Sequence, residues 1–254
     1  MSAWRRFRRR IRPRAQASAA ATNVIDGFDQ AETDLVARCQ PYTLASPERI
    51  IATADAVAHV VGGDIDGALV ECGVWRGGSV LAMILTLQRL GADDRDIYLC
   101  DTFSGMTAPT AEDTSAFEPP ALATFDRARA TGQRAWGFLF GDEVFGLEQV
   151  RTLIEETGYP PERVHFVVGP VEETLPQQAP ERIAVLRLDT DWFESTKHEM
   201  VHLYPRLQSG GVLIVDDYGH WEGARRAVDE YFESLGNRPL LARTDYTGRI
   251  GVKV

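Results

Sequence analysis

Carboxylates recur in this chain where short apolar runs stop. ALVECGV (68–74) reaches Glu71, Cys72 and Gly73, and DIYLCDT (96–102) reaches Asp101 and Thr102. IAVLRLDT (183–190) ends at Asp189 with Asp191 just beyond, and GVLIVDDY (211–218) ends at Asp216 and Asp217. A single acid at a strand end is an ordinary cap. Five or six at one rim repel each other strongly unless a divalent cation, a sulfonium or a set of ligand hydroxyls neutralises them.

The turn after Glu71 reads G-V-W-R-G-G-S, from Gly73 through Trp75 and Gly77 to Ser79. A dinucleotide fingerprint places glycine two residues after the first, so that backbone can approach a pyrophosphate. Trp75 stands there instead, and Glu71 beside it repels phosphate. A carboxylate next to an open glycine turn suits an amino group. Asp101, one strand along, suits two ribose hydroxyls. An amino acid joined to a ribose without phosphate describes S-adenosylmethionine.

Asp189, Asp216 and Asp217 form a second constellation. Adjacent parallel strands would bring the three carboxylates within a few ångströms. An all-oxygen set selects Mg²⁺, with Mn²⁺ or Ca²⁺ as substitutes, and no His or Cys is placed to favour zinc. Such an ion acts as a Lewis acid toward a bound alcohol. Asp191 can face the same cavity without being a ligand and is the first candidate for general base. His220, which closely follows the DDYG turn, is the alternative base, and His198 is a further rival.

These residues need a scaffold that brings strand ends together. Ser46 can cap a helix with Pro47 at its first position, and the helix should stop at Gly62-Gly63. A shorter helix is expected over 31–39, and others over 79–90, 142–157, 195–207 and 222–235. Strands are expected over the four runs above and over VHFVVGP (164–170). RIGVKV (249–254) should close the chain as an edge strand, with LLARTDY as its partner. Strands alternating with helices argue for an α/β fold, with a mostly parallel sheet covered on both faces. Residues 103–141 break the rhythm, carry Pro109, Pro119 and Pro120, and read as a lid inserted after a strand end.

Composition narrows the function classes. The chain has 254 residues, 44% hydrophobic and 25% charged, which fits one sizeable globular domain over 31–254. No run of about 18 apolar residues exists to span a membrane. The formal net charge is −10, yet the first 25 residues hold seven Arg and no acid. The remainder carries 20 basic against 37 acidic residues, a poor surface for nucleic acid. Residues 1–30 read as a solvated, disordered tail. The three cysteines have no metal-ligand spacing, and free thiols in a reducing, cytoplasmic compartment are expected. Apolar residues in the early helices and in the insertion predict a homo-oligomer, dimer or tetramer.

The segments PYTLASPERI (41–50), VECGVWRGGSVLAM (70–83), YLCDTFSGMTAPT (98–110), VVGPVEETLP (167–176), LRLDTDWFESTKHEM (186–200) and LYPRLQSGGVLIVDDYG (203–219) occur together. In this combination the chain resembles the macrocin O-methyltransferase family, Mg²⁺- and S-adenosylmethionine-dependent enzymes that methylate sugar hydroxyls of glycosylated natural products. The resemblance implies the class I methyltransferase fold, Rossmann-like and seven-stranded, here with an N-terminal helical extension. It implies metal ligands at Asp189, Asp216 and Asp217 and the base at Asp191. It places the cofactor over Glu71, Cys72, Gly73, Trp75, Gly77, Ser79, Asp101, Thr102, Ser104 and Asp189. Gly169, Val171 and Glu172 would border its adenine, and Thr43 and Ser46 would close over it. The chain departs from the family pattern at Thr190 and Trp192-Phe193, which flank the acceptor.

Three other readings compete. A phenol or catechol O-methyltransferase would use the same cofactor and metal, and only acceptor tests separate it from a sugar enzyme. A nicotinamide oxidoreductase is disfavoured by Trp75 and by the lack of a Tyr-x-x-x-Lys pair. A non-catalytic Rossmann-like partner-binding module is disfavoured by the clustered acids, which would destabilise it if nothing neutralised them.

Overall fold

A computed structural model describes residues 27–137 and 146–254. The Arg-rich head (1–26) and residues 138–145, which include the end of the expected lid and the start of the helix expected over 142–157, lie outside the described residues.

The sheet has seven strands: β1 (Ala68–Cys72), β2 (Ile97–Asp101), β3 (Val164–Val168), β4 (Ile183–Leu188), β5 (Leu207–Val215), β6 (Ala242–Arg243) and β7 (Arg249–Val252). Their order is β3-β2-β1-β4-β5-β7-β6. The first five run parallel, and β7 pairs antiparallel with both β5 and β6. The expectation of an edge strand at the C-terminus is therefore corrected. β7 pairs on one side with Val212–Val215 of β5 and on the other with the two-residue β6, so β6 and not β7 takes the edge.

Helices cover both faces. On one side α2 (Pro47–Gly62), α3 (Gly78–Leu90) and α5 (Leu147–Glu155) pack on Leu69, Ile97, Leu99, Val185 and Ile214. On the other, α7 (Phe193–His202) and α8 (Glu222–Leu235) pack on Val70, Leu186, Leu213 and Val215. Neighbouring strand residues serve opposite faces, so burial on both sides makes each strand read as an unbroken apolar run. α1 (Gln30–Cys39), α4 (Ala121–Thr131) and the single turn α6 (Val171–Thr174) are further α-helices, and short 3-10 turns lie at Gln40–Tyr42, Pro161–Arg163 and Tyr204–Arg206.

Local signals account for the helix starts. The Ser46 hydroxyl accepts from the Arg49 N–H at 3.3 Å, and Pro47 follows it. Asp29 and Glu32 form a reciprocal cap for α1. The apolar residues of α1 and early α2, including Val36, Cys39, Ile50 and Ile51, pack on Leu81 and Ala82 of this chain's own α3. They are thus used within the monomer. Cys39, Cys72 and Cys100 are free and buried. Among the described residues no helix is long and apolar enough to cross a membrane.

Candidate active site

Strand register assembles the site. Cys72 pairs with Cys100 on one side and Leu188 on the other, and Leu188 pairs with Val215. The residues that follow, Gly73, Asp101, Asp189 and Asp216, therefore emerge at one rim. They open into a cavity of about 860 Å³. Backbone strain concentrates there. Trp75, Phe103 and Asp191 take positive φ of 48°, 51° and 66°, a conformation that bulky residues rarely adopt. Gly73 shows the closest approach, since a Cβ on it would lie 1.9 Å from the Asp189 carbonyl oxygen.

The cofactor side of the cavity is lined by Thr43, Glu71, Gly73, Trp75, Ser79 and Asp101. Thr102 and Ser104 continue this wall, and Gly169, Val171 and Glu172 line it as well. Thr43 sits on the glycine turn, because a Cβ on Gly78 would be 2.7 Å from the Thr43 Cβ. Three expected cofactor residues do not line the cavity. The Ser46 side chain is spent on capping α2. Cys72 is fully buried in the core on the α7–α8 face. Gly77 starts α3 with φ 88° and faces Val150 and Leu153. His198 also lies elsewhere, its Nε2 against the Leu175 carbonyl at 3.0 Å.

Asp101 does more than the sequence suggests. Its Oδ2 accepts from the N–H groups of Val74 (2.6 Å) and Trp75 (3.0 Å), and its Oδ1 accepts from Phe103 at 2.6 Å. The carboxylate holds the glycine turn in shape while it lines the cavity.

The acids are neutralised from within, which sequence reasoning missed. Arg187, fully buried in β4, donates from Nη1 to Glu71 Oε1 and Asp189 Oδ2, both at 2.6 Å, and from Nη2 to Asp216 Oδ1 at 2.5 Å. Arg49, at the start of α2, pairs with Asp216 and Asp245. The expectation that only a ligand or metal could relieve the repulsion is corrected: two guanidinium groups do much of it. A signal existed, because Glu71 and Arg187 are lone charges inside apolar strands and register partners across β1 and β4. A charge buried in a strand requires a counter-charge. Glu71 Oε2 remains buried without a protein partner, which fits a ligand amino group. Burial, partly offset by Arg187, pushes the Glu71 carboxyl up to about 8.

Asp189, Asp216 and Asp217 each offer an oxygen within 4.8 Å of the others. Both Asp216 oxygens and one Asp189 oxygen already receive guanidinium hydrogens, and one Asp217 oxygen accepts the Asp191 N–H. The all-carboxylate donor set fits a hard divalent cation. Burial raises the Asp216 carboxyl to about 6 and that of Asp217 well above the usual range.

Asp191 lies against this set. Its N–H donates to Asp217 Oδ2 at 3.2 Å, and its Oδ1 accepts from the Trp221 indole N–H at 3.0 Å. Burial and the Asp189 charge push its carboxyl well up. His220 also lines the cavity. Its Nδ1 lies 3.1 Å from Tyr246 Oη and its Nε2 3.2 Å from Glu118 Oε1. Thr190 Oγ1 donates to the fully buried Glu199 at 3.0 Å, which ties the β4–α7 loop down.

The inserted segment forms the far wall. Trp136, from that segment, meets Trp192 and Trp221 at centroid distances of 5.4 and 6.3 Å. Asp113 accepts from the N–H groups of Thr110 and Phe193, at 2.6 and 2.7 Å, and so pins the segment to α7.

A model of the macrocin-O-methyltransferase family (TylF) matches residues 4–250. Over 230 residues the chain is 33% identical to the 8-demethyl-8-(2,3-dimethoxy-alpha-L-rhamnosyl)-tetracenomycin-C 4'-O-methyltransferase of Streptomyces olivaceus, covering 89% of this chain and 82% of that protein. It is 33% identical over 190 residues to the demethyldecarbamoylnovobiocin O-methyltransferase of Streptomyces niveus, covering 75% and 67%. The solved structure of the O-methyltransferase NovP is similar with a TM-score of 0.69 and 31% identity, over 84% of this chain and 82% of that one.

Proposed function

The chain belongs to the macrocin O-methyltransferase family, and on that premise we propose that it transfers the methyl group of S-adenosylmethionine to a sugar hydroxyl of a glycosylated natural product, with a divalent cation, Mg²⁺ by its chemistry, on Asp189, Asp216 and Asp217. The observation that carries the metal and base assignment is the placement of Asp191 against three carboxylates that share one 4.8 Å neighbourhood. When bound, the cation would polarise the acceptor oxygen and lower its pKa. Asp191 takes the hydroxyl proton as that oxygen attacks the methyl carbon, the S–CH3 bond breaks and S-adenosylhomocysteine leaves as the neutral thioether. Trp221 holds one of its oxygens, which leaves the other for the proton. Glu71 and Asp101 bind the amino and ribose ends of the cofactor, and Trp75 and Thr43 cover it. The aromatic wall excludes water, which strengthens the electrostatic contacts inside. The rhamnosyl group in the name of the Streptomyces olivaceus relative supports a sugar acceptor over a catechol. Three buried free thiols and the acidic body support a cytoplasmic setting and a small-molecule partner.

The test uses labelled S-adenosylmethionine with rhamnoside and catechol acceptors, and Asp191→Asn and Asp216→Asn variants. EDTA should abolish turnover while S-adenosylhomocysteine binding, followed by calorimetry, persists. Asp191→Asn should lower kcat by roughly 10²–10⁴ with no rescue by excess Mg²⁺. Asp216→Asn should raise the Mg²⁺ requirement first. Rescue of Asp191→Asn by metal would make that residue a ligand, and a large kcat loss only in His220→Ala would move the base to the histidine.

A further inference from the structure

At the mouth of the cavity stands an aromatic cluster whose outer ring, Phe117, has no part in the proposed methyl transfer. Phe117 is 64% exposed and Tyr246 is 55% exposed, although large aromatic rings ordinarily lose most of their exposure on folding. The rings are in contact. Phe117 stacks on His220 at 5.5 Å and 15°, and meets Tyr246 edge-on at 5.5 Å and 76°. His220 and Tyr246 line the cavity and are joined by the contact between Nδ1 and Oη. Phe117 thus carries the cavity wall outward to the surface.

The segment that displays Phe117 is held in place. The next residue, Glu118, faces inward and accepts from the Trp136 indole N–H at 2.8 Å, and its other oxygen meets His220 Nε2. Asp113 anchors the same segment to α7. Leu44, 51% exposed, lines the cavity from the segment ahead of α2. The outer surface of this mouth is therefore a fixed aromatic ring with an apolar side chain bordering the same cavity. The acids that serve the reaction lie deeper.

We infer that Phe117, backed by His220 and Tyr246, is a subsite for the aglycone of the acceptor, a flat aromatic or polycyclic group that stacks on the ring while the sugar it carries reaches Asp191. The inference rests on the proposed sugar-hydroxyl transfer. The occupant follows from continuity: His220 and Tyr246 line the cavity that holds the acids, and Phe117 packs on them at their exposed side, so a group carried outward on this side from a sugar at the acids meets these rings. An uncharged, planar surface suits an apolar, planar partner, which gains offset stacking as well as burial.

The experiment measures glycoside binding by calorimetry on protein loaded with S-adenosylhomocysteine. The probes are methyl α-L-rhamnoside and 2-naphthyl α-L-rhamnoside, which share a sugar and differ only in the aglycone. The naphthyl glycoside should bind wild type roughly tenfold more tightly, the scale of one aromatic stacking contact with its burial. Phe117→Ala should erase that advantage, while the methyl glycoside and S-adenosylhomocysteine bind as before. Phe117→Tyr should retain it. Equal affinity of wild type for the two glycosides overturns the subsite, as does failure of the naphthyl glycoside to bind. A Phe117→Ala loss shared equally by both glycosides also overturns it, by showing that the ring only supports the inserted segment. Turnover on the same samples keeps the two readings apart. A Phe117-dependent naphthyl preference without methyl transfer would refute the proposed reaction and leave the subsite standing.

Discussion

Replacing Arg187 by methionine would leave Glu71, Asp189 and Asp216 facing one another without the guanidinium that now joins them. Methionine can fill much of the volume, so the loss is mainly electrostatic. Three hydrogen bonds to charged groups are removed, at about 1.5–3 kcal/mol each, which bounds the effect at roughly 5–9 kcal/mol. The acids can take up protons once the guanidinium is gone, so the full sum is not realised. Breaking a buried ion pair by removing one partner costs about 3–5 kcal/mol, and that range is the expected loss here. It is a large share of the roughly 5–15 kcal/mol that stabilises a typical domain.

The pH dependence has a definite sign. The Asp216 carboxyl stands at about 6 with Arg187 in place. Without the guanidinium it rises, while in the unfolded chain of either protein it stays at about 3.9. Above pH 6 the wild type keeps an ionised Asp216 that Arg187→Met holds protonated, so the variant's deficit grows as pH rises from about 6 toward 8. Urea unfolding of Arg187→Met in EDTA should show the large deficit at pH 8 and a smaller one at pH 5. Added Mg²⁺ should restore part of it, by supplying the missing positive charge. A deficit below about 1 kcal/mol at pH 8, or one equal at both pH values, would show that Arg187 does not hold the acids together.

One other outcome is expected. Asp101→Ala should weaken S-adenosylhomocysteine binding by roughly 2–4 kcal/mol in calorimetry, through lost charge-assisted hydrogen bonds. It should also lower the melting temperature, because the N–H groups of Val74, Trp75 and Phe103 lose their acceptor; an affinity loss with no change in melting temperature would contradict its role in the turn.

Much of this molecule is written locally. The stop of each apolar run at an acid, the Ser46-Pro47 helix start and the Gly-rich turn after Glu71 are punctuation that depends on near neighbours. They suffice to place β1, β2, β4 and β5 and the acids at their ends. Parallel strands bring those ends together, so the Asp189, Asp216 and Asp217 group and Asp191 beside it were legible before any coordinates. Other features depend on partners far apart in the chain. β7 lies inside the sheet because it pairs with β5 on one side and β6 on the other, partners that pattern alone does not encode. Ser46, Cys72 and Gly77 fall in matching segments, but side-chain direction turns them to a cap, a core and a helix packing face. Arg187 reaches Glu71 116 residues away and Asp216 29 residues away, and Arg49 reaches Asp216 from α2. Whether a buried acid meets a guanidinium, a metal or a ligand is decided by which side chains the packed sheet brings within about 3 Å, and only the tertiary structure sets that distance.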